Sequence, residues 1–130
     1  MRHLSAAATA LLFLLPASAG AFRQPQTVEQ ALAGRTPGKP VSCIQLPRVG
    51  STQIFDSGAI LYRMNGGPDY LNKPDGCDIL RSDRATATRT PSTSICRGDL
   101  LRVFDPVAHF DYGACPLGDF VPYPRVKKGQ

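Results

Sequence analysis

Four cysteines, Cys43, Cys77, Cys96 and Cys115, constrain this chain more than any other feature. They follow an N-terminal stretch, "MRHLSAAATALLFLLPASAGA", with the order of a secretory leader. Arg2 supplies the basic start, Ala6 to Leu15 the apolar run, Pro16 the break and Ala17-Ser18-Ala19 the small-residue cleavage site. The apolar run is too short to cross a bilayer as a helix. An even number of cysteines in a small exported domain reads as two disulfides. No C-x-x-C pair is present, which argues against zinc. Four cysteines allow three pairings. Loop entropy favours the sequential one, Cys43–Cys77 with Cys96–Cys115, because it closes the shorter loops.

The expected organisation is a signal peptide over 1–19, a helical lead-in and linker over 20–40, a disulfide-stapled β domain over 41–124 and a basic tail over 125–130. Cleavage after Ala21 is the alternative to cleavage after Ala19. Either cut leaves one small domain and no integral membrane span. Localisation is expected to be periplasmic or secreted.

In the lead-in, "QTVEQALA" places Val28, Ala31 and Leu32 on one helical face, with Gly34 as a stop. From Val41 the hydrophobic period changes to two. "TQIFDSGAILYRMNGG" predicts a hairpin about Asp56-Ser57-Gly58, with Ile60, Tyr62 and Met64 on one face of the second strand. "DYLN", "RATATRT", "ICRGDLLRVFD" and "ACPLGDFVPY" read as further strands, and "PVAHFDYG" as a loop. Twelve glycines and twelve prolines suit a turn-rich β protein. The predicted class is mostly β: a small antiparallel barrel or sandwich with a short N-terminal helix and two disulfides.

"ALAGRTPGKPVSCIQL", "IFDSGAILYRMNGG", "YLN", "CDIL", "SICRGDLLRVFD" and "GACPLGDFVPY" together resemble a family of small, uncharacterised exported four-cysteine proteins of Gram-negative bacteria. The resemblance spans Leu32 to Tyr123. It implies a periplasmic or secreted protein with every cysteine in the framework, and it implies no activity, cofactor or catalytic residue.

Lys and Arg number 15 against 10 Asp and Glu, a formal net charge of +5. The excess is scattered, apart from Arg125-Val126-Lys127-Lys128, read as a solvated tail. No aromatic-basic interleaving marks a nucleic-acid partner. Arg97-Gly98-Asp99 spells an adhesion tripeptide, but a cysteine precedes it and a hydrophobic strand follows. Gly98 and Asp99 are therefore read as a structural turn, with the Asp99 carboxylate accepting from nearby backbone N–H groups.

His109, flanked by Asp105 and Asp111, is the one acid–base candidate downstream of the leader. No G-x-S-x-G occurs, and oxidised cysteines supply no thiolate. Asp69, Asp75 and Asp78 do not fit an EF-hand, because Lys73 and Pro74 stand where ligands are needed. No catalytic, cofactor or metal residue is assigned. The reading is a non-enzymatic binding or envelope-associated module whose partner is an envelope or periplasmic protein. Two alternatives stand beside it: a periplasmic enzyme inhibitor presenting the Pro91–Ile95 loop, and a small metal-dependent enzyme around His109.

Overall fold

A computed structural model describes residues 26 to 127. The expected signal peptide, the first part of the expected lead-in and the last residues of the expected basic tail lie outside the described residues. The fold is mostly β and antiparallel. One helical turn, α1 (Val28–Ala31), comes first. Thr27 caps it: its hydroxyl accepts from the Gln30 N–H, and the Gln30 side chain accepts from the Thr27 N–H.

Nine strands follow among the described residues: β1 (Cys43–Gln45), β2 (Val49–Ile54), β3 (Ile60–Met64), β4 (Asp69–Asn72), β5 (Ala85–Thr88), β6 (Ser94–Cys96), β7 (Leu100–Phe104), β8 (Asp111–Pro116) and β9 (Phe120–Tyr123). They form three sheets, ordered β2-β3-β4-β9, β5-β7-β8 and β1-β6. They do not close into a barrel, because each sheet ends on its own outer strands. Pro122 sits on the outermost strand β9, where a missing N–H costs no ladder bond.

Alternation along β3 divides the core. Ile60, Tyr62 and Met64 join Ile44, Leu80, Ile95, Leu101, Val103, Leu117 and Phe120 in the main cluster between the sheets. Leu61 points the other way, onto Leu32, Phe55, Ala59 and Leu71, with Val28 and Ala31 of α1 packed against them. The helical turn thus covers the outer face of the four-stranded sheet.

Both disulfides form, but not in the sequential pairing. Cys43 is bonded to Cys96 and Cys77 to Cys115. Cys43 and Cys96 stand directly opposite in the β1–β6 register. The cost of the longer loops is only about 1 kcal/mol, and strand pairing with core burial outweighs it. The segment read as one strand, "ICRGDLLRVFD", is two. It breaks at Arg97–Asp99, and β6 and β7 enter different sheets. "ACPLGDFVPY" likewise splits between β8 and β9, and β8 begins earlier than expected, at Asp111.

Candidate functional site

The β7–β8 connection is a closed, exposed loop. The Asp105 N–H donates to the Phe110 carbonyl at 2.8 Å, which shuts its base. Asp105 Oδ1 accepts from the N–H groups of Val107 (2.8 Å) and Ala108 (2.9 Å), which fills its interior. Those N–H groups hold the Asp105 carboxyl below the usual range. His109 has φ 56°, a left-handed conformation that His tolerates better than most residues. Asp111 Oδ2 is ion-paired with Arg102, and its Oδ1 accepts from the Gly113 N–H at 2.9 Å.

This scaffold displays apolar side chains. Val107 is 87% exposed and Phe110 59%. Phe110 meets Tyr112 edge-on, ring centres 4.9 Å apart, and the Arg84 guanidinium lies 3.6 Å from the Tyr112 ring centre. Both contacts hold the base of the tip in place.

The outer face of β5-β7-β8 continues the site. Ala87 and Ala114 stand on either side of Arg102 in the register. Their small side chains leave two shallow depressions that share Arg102. One, about 330 Å³, is lined by Ala87, Arg102, Phe104, His109 and Asp111. The other, about 450 Å³, is lined by Arg89, Gly98, Asp99, Leu100, Arg102 and Ala114. Leu100, in the lining of the second, is 57% exposed.

His109 and Asp111 therefore share one depression, while Asp105 is turned into its own loop. Both carboxylates are already bonded, to backbone N–H groups and to Arg102. Among the described residues no three His, Cys, Asp or Glu side chains are grouped to hold a metal.

Arg97-Gly98-Asp99 is bonded on every side. Asp99 Oδ2 accepts from the Cys96 N–H at 2.7 Å, and Gly98 has φ 88°. The Gly98 N–H donates to Leu117 O and the Leu117 N–H to Asp99 O, both at 2.9 Å. Arg97 pairs with Asp119 at 3.2 Å on the surface.

The Pro91–Ile95 loop is ordered by hydroxyls. Thr90 Oγ1 donates to Ser94 O at 2.8 Å, and Ser92 Oγ accepts from the Ser94 N–H at 3.2 Å. The Leu46 N–H donates to Thr93 O at 2.8 Å, and Ile95 anchors the end in the core.

Asp69, weighed above as an oxygen ligand, is instead buried among arginines. Its Oδ2 takes Arg35 at 3.0 Å; its Oδ1 takes Arg125 at 2.7 Å and the Met64 N–H at 3.0 Å. Arg63 lies at 4.0 Å. Arg125, read as part of a solvated tail, is thus tied to the sheet.

Sequence reasoning passed over Val107 and Phe110 as loop residues. The available signal was two large apolar side chains in a segment with no strand alternation to bury them. The chain matches no family model, no curated protein and no solved structure.

Proposed function

We propose that this chain is an exported, non-enzymatic recognition module that binds an envelope or periplasmic protein through the β7–β8 tip and the adjoining sheet face. The observation that carries this reading is the exposure of Val107 and Phe110 on a loop whose backbone is already bonded. A fixed apolar anchor loses little entropy on binding, and aromatic side chains dominate interface energetics. Arg102 lines both depressions, and its guanidinium, held by Asp111, adds fixed N–H donors that orient a partner. Two disulfides are compatible with an oxidising compartment. No described helix is long and apolar enough to cross a membrane. The leader and the resemblance to small exported four-cysteine proteins support the same location.

Capture from periplasmic extract tests the reading. The native protein retains a partner, and the doubly substituted Val107→Asp, Phe110→Ser protein loses it while its circular dichroism is unchanged. Retention of the same partner by the folded double variant overturns the assignment. The inhibitor reading has its own support in the hydroxyl-braced Pro91–Ile95 loop beside the Cys43–Cys96 bridge. It predicts that the captured partner is an enzyme and that Ser92→Pro, not the tip variant, releases it.

A further inference from the structure

The Asp69 carboxylate draws arginines from distant parts of the chain to one end of the β3–β4 hairpin. Arg35 arrives from the segment after α1, Arg63 from β3 and Arg125 from beyond β9. A fourth, Arg48, reaches the same turn and donates to the Gly66 carbonyl at 3.2 Å. Gly67 leaves room for that guanidinium: a Cβ there would stand 3.2 Å from Arg48 Nη2. Arg125 also donates to the Met64 carbonyl. Arg48 and Arg125 therefore both donate to backbone carbonyls at this turn, those of Gly66 and Met64.

The charges do not balance. Asp69 is the only carboxylate within ion-pair distance of these arginines among the described residues, and Arg48 has none. One negative charge faces three guanidiniums, with the fourth beside them. Arg35 is almost covered, but the side chains of Arg63 and Arg125 are 38% and 49% exposed. Lys127 follows Arg125 on the exposed segment. Two exposed apolar side chains lie close to these cations in sequence: Leu46, 42% exposed, separated from Arg48 by Pro47, and Val126, 63% exposed, between Arg125 and Lys127.

We infer that this end of the molecule docks on an anionic lipid surface, with Arg48, Arg63, Arg125 and Lys127 facing lipid phosphates and Val126 entering the headgroup layer. Guanidinium groups suit phosphate because their N–H donors are planar and paired. Each basic residue near such a surface is worth about a five-fold gain in partition. One apolar side chain among several cations gives weak, reversible, salt-sensitive docking rather than insertion. The inference uses none of the β7–β8 residues, so the two surfaces can be tested separately.

Vesicle sedimentation with the full exported protein decides it. Vesicles of half phosphatidylglycerol and half phosphatidylcholine should pull the protein down at low salt, and pure phosphatidylcholine vesicles should not. Arg48→Gln and Lys127→Gln should each weaken partition about five-fold, with melting temperature unchanged, and the Val107→Asp, Phe110→Ser protein should bind as the native one does. High salt should release it. Equal partition onto neutral vesicles, no partition at all, or native partition by the Arg48→Gln, Lys127→Gln double variant overturns the inference. So does release by inorganic phosphate at the ionic strength where chloride does not release it, which would mark a site for single phosphate ions.

Discussion

The side chain of Asn72 pairs with the peptide of Gly118 as a neighbouring strand would. Its Nδ2 donates to the Gly118 carbonyl at 2.8 Å, and its Oδ1 accepts from the Gly118 N–H at 3.0 Å. Asn72 is fully buried at the end of β4, and Gly118 lies between β8 and β9. One carboxamide thus satisfies both backbone groups of a connector that belongs to no ladder.

Asn72→Ala should lower stability by about 2–4 kcal/mol, since it strands a buried donor and a buried acceptor. Gly118→Ala should also destabilise, because its Cβ would lie 2.8 Å from the Lys73 carbonyl oxygen, a backbone atom that cannot swing aside. Urea unfolding of both variants checks this; native midpoints would refute it.

Burial pushes the Asp69 carboxyl up, but bonds from Arg125, the Met64 N–H and Arg35 outweigh it and hold the group below its ordinary value. A carboxyl depressed in the folded state contributes stability above its unfolded pKa, near 4. That contribution is lost as pH falls through the folded value. Asp69→Asn should therefore be less stable at neutral pH, by about 1–3 kcal/mol for the loss of charge-assisted hydrogen bonds. Its stability should also fall less steeply below about pH 4 than that of the native protein. Parallel acid limbs in chemical denaturation from pH 2 to 7 would count against this role.

Loss of the Asp99 carboxylate frees the Cys96 N–H, so Asp99→Ala should cost about 1 kcal/mol. Gly98→Ala should cost at least as much, because Gly98 has φ 88°. Arg97→Ala should cost little, since its pair with Asp119 is exposed. Thermal melts of the three variants beside a cell-attachment assay separate this from an adhesive role. Attachment lost with all three melts unchanged would restore the adhesion reading.

Tyr62 is 3% exposed and packs edge-on against Phe120, yet its hydroxyl has no hydrogen-bond partner among the described residues. Burial alone pushes its ionisation up. Tyr62→Phe removes a desolvated group and keeps the ring, so stability should hold or rise by up to about 1 kcal/mol. A fall of that size would reveal a partner for the hydroxyl.

Local signals were legible and long-range ones were not. The Asp56–Gly58 turn and the alternation of Ile60, Tyr62 and Met64 could be read directly, because each depends on residues a few positions apart. The break at Gly98 was visible as a turn. That β6 and β7 part there for different sheets was not, since it depends on partners at Cys43–Gln45 and Ala85–Thr88. Asp69 reads as an ordinary strand-end acid, and nothing near it in sequence announces Arg35 or Arg125. The exposed tip was hidden for the opposite reason: a loop is expected to be polar, so Val107 and Phe110 passed as incidental.

Peptide mapping without reductant should recover Cys43 with Cys96 and Cys77 with Cys115, and thiol titration of the denatured protein should find no free thiol. Reduction should cost about 2–4 kcal/mol per bridge. Recovery of Cys43 joined to Cys77 would contradict the β1–β6 register.

The two bridges are interleaved along the chain: each closes a loop that contains one end of the other. A single peptide-bond cut anywhere from Cys43 to Cys115 therefore still leaves both pieces joined by at least one disulfide. Sequential pairing would let one cut between Cys77 and Cys96 release two fragments. Wherever the bridges stay oxidised, this wiring lets the protein be nicked and remain one molecule.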